Sequence, residues 1–218
     1  MKIAVIGATG LVGNATVQEL ASRGHEVVGF ARNNVEKVFK AENVQAVQAD
    51  VNAEDFAEKL AGFDAVVSAF NGSWTNPNLA EDTERGSASI LNAVKVANVP
   101  YLLVIGGAGS LYVAPNLQLV DTPNFPPEVF PAANVVRNLL TELKGRRDIN
   151  WAFLSPAAMF SVNPLSFEKT GKYRLGKDDV LLNADGSPAD ISVPDLAVAI
   201  ADDVEQKAHL FSRFTVAN

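Results

Sequence analysis

"VIGATGLVG", residues 5–13, places three glycines at 7, 10 and 13 directly behind an apolar run. The spacing Gly7-x-x-Gly10-x-x-Gly13 is a GxxGxxG variant of the GxGxxG dinucleotide fingerprint, and each glycine has a physical task. Gly7 permits a tight turn off a strand, Gly10 lets a pyrophosphate approach the backbone, and Gly13 lets a helix pack closely on the sheet. A bare glycine trio also makes ordinary turns, so its surroundings decide. Here it joins "KIAVIG" (2–7), which reads as a strand, to "LVGNATVQELASRG" (11–24), which has apolar residues at helical spacing and ends in Gly24. The free amides of such a helix's first turn are suited to holding phosphates.

The same alternation continues along the chain. "EVVGFA" (26–31), "VQAVQA" (44–49), "DAVVSAF" (64–70), "YLLVIG" (101–106) and "NWAFLS" (150–155) read as further strands. "AEDFAEKLAGF" (53–63), "ERGSASILNAVKVANV" (84–99), "PAANVVRNLLTELKG" (131–145) and "VPDLAVAIADDVEQ" (193–206) read as helices, and "HLFSRFTVAN" (209–218) contains a last strand. Near-continuous apolar strands separated by helices predict a parallel sheet buried on both faces, with right-handed crossovers. The expected class is α/β: a three-layer, Rossmann-type doubly wound parallel sheet with a small irregular C-terminal region on the substrate side.

A chain of 218 residues, 48% hydrophobic and 20% charged, fits one domain over 1–218. The Pro-rich stretch 106–135 and the stretch 155–190 are expected to be substrate-side loops. No apolar run is long enough to span a membrane and no leader pattern precedes the first strand, so a cytoplasmic location and no membrane partner are expected. The absence of cysteine excludes disulfides, thiolate catalysis and Cys-based zinc sites, and two distant histidines, His25 and His209, argue against a metal centre. A net charge of −7 opposes binding to nucleic acid. A monomer or homodimer acting on a small molecule is the expectation.

The end of the second strand selects between the two dinucleotides. NAD calls for an acidic side chain about 20 residues beyond the glycines to hold the ribose hydroxyls, whereas a 2′-phosphate calls for arginine. The chain has Arg32 in "GFARNN" and no Asp or Glu between 27 and 35, which favours NADP(H) over NAD(H). Asp50 and Val51, after the third strand, are placed for adenine; Asp50 is equally suited to a turn or helix cap.

"GATGLVG" with "ARN", then "SAFNG" and "VIGGAGSL", resembles the atypical short-chain dehydrogenase/reductase superfamily, specifically its small NAD(P)H-binding, NADH-flavin reductase-like proteins. The resemblance spans essentially the whole chain. It implies that Gly7, Thr9, Gly10, Leu11, Val12 and Gly13 hold the pyrophosphate and that Arg32 meets the 2′-phosphate. It further implies Asp50 and Val51 at adenine, and Ala69, Phe70 and Asn71 along the adenosine ribose. Gly106 and Gly107 would lie at the nicotinamide end, with Pro156 on the cofactor side of the same crevice.

Short-chain dehydrogenases use a tyrosine and a lysine in YxxxK on the helix after the fifth strand. "PAANVVRNLLTELKG" has no tyrosine, and the literal Tyr173-x-x-x-Lys177 falls after the sixth strand in a loop or hairpin pattern, where it reads as coincidence. Ser110 and Tyr112 are then the candidate catalytic groups; the alternative is that Ser110 shapes a turn and Tyr112 packs. A flavin or quinone accepts hydride on its own ring and needs mainly positioning. Phe125, Phe130, Phe160 and Pro156 are candidate walls for such a flat acceptor, or else core aromatics under long loops. The expected function is NADPH-dependent reduction of a flavin, quinone or similar acceptor, with flavin as a substrate. A redox sensor that binds NADP(H) without turnover is the alternative, and a sugar-nucleotide epimerase or dehydratase, which leans on the missing tyrosine, comes third.

Overall fold

The computed structural model describes residues 1–218. Ten strands form: β1 (Lys2–Ile6), β2 (Glu26–Ala31), β3 (Val44–Gln48), β4 (Ala65–Ser68), β5 (Leu102–Ile105), β6 (Tyr112–Ala114), β7 (Leu117–Gln118), β8 (Trp151–Pro156), β9 (Arg174–Gly176) and β10 (Ser212–Ala217). Eight of them make one sheet in the order β3-β2-β1-β4-β5-β8-β10-β9, and β6 pairs with β7 in a separate small hairpin. All neighbours in the large sheet are parallel except β9, which runs antiparallel to β10 at the edge. The strand order reverses between β1 and β4, as in a Rossmann-like fold, and the crevice opens there beyond the strands' carboxyl ends.

The helices are α1 (Leu11–Ser22), α2 (Phe56–Lys59), α3 (Leu79–Val96), α4 (Phe130–Lys144) and α5 (Val193–Gln206). Because strand side chains alternate between faces, the apolar runs fill two separate cores. Ile3, Val5, Val67, Leu103 and Leu154 face α1 and α5, where Val17, Leu20, Leu196 and Ile200 complete one core. Ile6, Val66, Leu102, Val104 and Phe153 face the other way, against Phe56, Ile90, Leu91, Leu140 and Leu143 of α2, α3 and α4. Fully burying each such side chain contributes about 1.5–3 kcal/mol. No helix is long and apolar enough to cross a membrane.

Polar anchors join the layers. Tyr101, fully buried before β5, donates to Asp203 Oδ2 at 2.6 Å, and the His209 ring meets Asp203 Oδ1 at 2.7 Å. Burial and the adjacent carboxylate push the Tyr101 phenol far above its ordinary range. Arg23 at the end of α1 reaches Glu19 and also Asp202 and Glu205 of α5.

Two elements differ in extent from the sequence reading. The helix expected over 53–63 is only Phe56–Lys59, since one turn suffices to bury Phe56 and Leu60, and Gly62 (φ +80°) then redirects the chain into β4. The helix expected from 84 begins at Leu79, with Glu81 and Asp82 in its first turn, where acidic groups complement the helix dipole.

Candidate functional site

The carboxyl ends of β1, β2, β4, β5 and β8 border a single open cleft of about 810 Å³. Its floor begins at the β1–α1 turn. Gly7 adopts φ +80°, and a Cβ there would meet the Ala69 carbonyl oxygen at 2.5 Å. A Cβ at Gly13 would meet the Gly7 oxygen at 2.2 Å, so the turn closes only with glycine at both positions. Gly10 begins α1 without a side-chain cap, and the amides of Leu11, Val12 and Gly13 have no acceptor in the protein. Three free donors at a helix start, in a cradle that a Cβ would fill, suit an anionic ligand such as a dinucleotide pyrophosphate.

Past β2, Arg32 is exposed and lines the cleft without an ion-pair partner or a side-chain hydrogen bond. The other charges on the lining are Asp50, Asp82, Arg85 and Arg137. Arg85 pairs with Asp82 at 2.7 Å, and Arg137 holds both oxygens of Asp121 at 2.7 and 2.8 Å. Asp50 accepts the Asn52 amide at 2.9 Å in a local turn, beside the buried Val51. Arg32 is thus the one cleft cation free to meet an anion.

Past β4, Ala69, Phe70 and Asn71 reach the lining, and the Phe70 ring fits against α3 because Gly86 has no Cβ; one there would sit 2.3 Å from the ring. Trp74, 69% exposed, stands at the rim of the same stretch. Past β5, Gly106 lies on Phe153, which a Cβ would approach to 2.0 Å, and Gly107 and Ser110 follow along the wall. Pro156, Phe160 and Val162 line the cleft beyond β8, and Phe125 lines it from the segment that precedes α4.

The cleft therefore brings together all the residues selected for the cofactor, from Gly7 to Pro156, and Ser110, Phe125 and Phe160, but not Tyr112 or Phe130. Tyr112 is drawn away by backbone pairing: its amide donates to the Asp178 carbonyl at 2.8 Å and its carbonyl accepts the Val180 amide at 2.9 Å. Phe130 is also off the lining, at the start of α4 and 40% exposed. Tyr173 donates to Asp202 at 2.7 Å on the α5 side, and neither it nor Lys177 reaches the cleft. Burial, and then the Asp202 carboxylate, raise the Tyr173 phenol well above its ordinary value.

Sequence reading missed what α4 presents. Ala132 and Val136, and Ala133 and Arg137, each pair four positions apart, all line the cleft, so small apolar side chains and an already paired guanidinium occupy this face. The missed signal is the i,i+4 spacing of a helix following β5. None of the three tyrosines and neither histidine contributes to the lining.

Residues 7–206 match the family described as NAD(P)H-binding. The uncharacterized protein YwnB of Bacillus subtilis is 42% identical over 220 aligned residues, covering 100% of this chain and 99% of YwnB. A solved structure from Bacteroides thetaiotaomicron, provisionally named an epimerase, is 36% identical with a TM-score of 0.88, covering 99% of this chain and 96% of that one. One from Streptococcus pneumoniae, provisionally named an NADH-flavin reductase, is 34% identical with a TM-score of 0.85, covering 100% of this chain and 99% of that one.

Proposed function

The chain belongs to the NAD(P)H-binding family, and from that premise we propose that it is an NADPH-dependent reductase of a flavin, quinone or similar small conjugated acceptor. The observation that carries this reading is the composition of the cleft: it has a free arginine at one end, apolar walls at the other, and no tyrosine, histidine or lysine between them. Ketone reduction and epimerisation in such folds lean on a tyrosine to move a proton, and this lining has none; Ser110 offers a hydrogen bond only. A conjugated ring that takes up charge itself needs orientation above all.

In this reading Gly7, Thr9, Gly10, Leu11, Val12 and Gly13 hold the pyrophosphate, and Arg32 holds the 2′-phosphate. Asp50 and Val51 flank adenine, and Ala69, Phe70 and Asn71 flank the ribose. Gly106, Gly107 and Pro156 border the nicotinamide, which when bound in its reduced form supplies a hydride. The acceptor rests between Phe125 and Phe160, contributed by the segments 106–135 and 155–190, which act as the substrate-side loops.

The test is an acceptor panel with NADPH, followed by loss of the reduced nicotinamide's near-ultraviolet absorbance. Oxidation with FMN, FAD or quinones and almost none with simple aldehydes or ketones is the expected result. Tight NADPH binding with no oxidation above the protein-free rate replaces the reductase reading with that of an NADP(H) sensor.

A further inference from the structure

Arg213, on β10, is deeply buried, with its side chain 1% exposed, yet it lies outside the lining of the cleft. A guanidinium withdrawn from water must use its donors within the protein. Its Nε and Nη2 donate to Asp178 Oδ1 at 2.9 and 2.7 Å, and Nη2 also approaches the Asp178 carbonyl at 3.3 Å. Its Nη1 donates to Ser110 Oγ at 3.1 Å. Ser110 is 2% exposed and lines the cleft wall just beyond Gly106 and Gly107.

Arginine has donors and no acceptor, so Ser110 can only accept in this bond. The serine's own proton is not used there, and no protein atom accepts it. A bond from a cationic donor also polarises the hydroxyl and strengthens it as a donor. We infer that Arg213 is a positioning residue that holds the Ser110 hydroxyl as a hydrogen-bond donor toward the cleft, where it meets the oxygen or nitrogen of a conjugated acceptor.

This role rests on the reductase reading and specifies its substrate: a ring whose heteroatom gains negative charge during reduction, as a quinone carbonyl does. The nicotinamide is the reductant and its hydride carries both electrons to the acceptor. Solvent supplies the proton that completes the reduction, and Ser110 keeps its own. The contribution is a bond that strengthens as charge develops.

The test compares the native protein with Ser110→Ala, Arg213→Met, Arg213→Lys and the double variant Ser110→Ala/Arg213→Met, each checked for folding by its melting transition. With NADPH and 1,4-naphthoquinone, each of the first two substitutions lowers kcat about tenfold, as loss of one hydrogen bond to developing charge predicts. The double variant falls no further than either single one, the NADPH Kd stays within about twofold, and Arg213→Lys recovers part of the rate. A double variant that loses the product of the two effects, or an unimpaired Arg213→Met beside an impaired Ser110→Ala, overturns the inference. A second readout needs no turnover: titration of the NADP⁺-loaded proteins with naphthoquinone. If the native protein fails to oxidise NADPH, the reductase reading falls, and the inference is judged on this titration alone. A shared, non-additive loss of quinone affinity upholds it, whereas additive loss or none overturns it. Should Arg213→Met not fold, Arg213→Gln, which removes the cation but keeps a polar side chain, takes its place in both readouts.

Discussion

The Cα of Gly13 packs so closely over the Gly7 carbonyl that an added methyl would stand 2.2 Å from its oxygen, whereas the same methyl at Gly10 would stand 3.3 Å from that atom. The two glycines therefore answer to different demands. Gly13→Ala forces α1 off β1, at a cost of about 1–3 kcal/mol, and lowers both the melting temperature and NADPH affinity. Gly10→Ala keeps a permitted backbone (φ −76°) and changes stability by less than about 0.5 kcal/mol, but obstructs the approach of the pyrophosphate. Native NADPH affinity in the Gly10→Ala protein rules out the cradle.

Arg32 carries the choice between cofactors. Its charge has no partner, so removing it takes away one charge-assisted contact to a 2′-phosphate and disturbs nothing else. Arg32→Ala should weaken NADPH binding by about 1.5–3 kcal/mol and leave NADH nearly unchanged. Fluorescence titrations of both cofactors check this, and equal affinities in the native protein refute it.

Tyr173 is a latch between the segment preceding β9 and α5. Tyr173→Phe loses the 2.7 Å bond to Asp202 and costs about 1 kcal/mol of stability without changing turnover. Lys177→Ala likewise leaves turnover unchanged. A hundredfold fall in kcat in either folded variant would place the YxxxK pair in the chemistry after all.

Asp195 makes the acid limb of stability. It is buried in the first turn of α5 and accepts the Thr170 and Gly171 amides at 3.0 and 2.8 Å, the Thr170 hydroxyl at 2.6 Å and the Asn218 side chain at 2.8 Å. Burial pushes its carboxyl up, but the hydrogen bonds from Thr170, Gly171, Asn218 and Ser192 together outweigh it and hold the group below its ordinary value of 3.8. The unfolded chain then binds this proton more readily than the folded one. The stabilisation is complete above the ordinary value and is lost as pH falls through the depressed one. Asp195→Asn should cost about 2 kcal/mol at neutral pH, a gap that narrows in acid. Urea midpoints across pH measure it; a gap that widens toward low pH contradicts the assignment.

The inner strands were legible because a strand buried on both faces must be apolar wherever it is buried, as "IAVI" (3–6) and "WAFL" (151–154) are. β9 was not, since an exposed edge strand of three residues, "RLG", carries no such pattern. The cofactor side of the cleft was legible because backbone geometry forces glycine at 7 and 13, and such positions announce themselves. The acceptor side depends on side chains brought together from distant segments. Ser110 and Arg213 lie 103 positions apart, and the pull of residues 178–180 on Tyr112 is a backbone pairing that no local motif encodes. The absence of a tyrosine from α4 could be read directly; that Ala133 and Arg137 take its face required the helix's orientation.

The two tryptophans divide the molecule's optical signal between its interior and its entrance. Trp151 is fully buried, edge-on to Phe211 at 6.4 Å, and emits from an apolar setting; Trp74, at the cleft rim, emits at longer wavelength from water. Reduced nicotinamide absorbs where tryptophan emits, so a cofactor in the cleft draws excitation energy first from Trp74. Trp74→Phe should remove the red component and most of the quenching by NADPH, while the shift on unfolding in urea, which belongs to Trp151, persists. Occupancy and folding can thus be followed in one emission spectrum, at its two ends, without any added label.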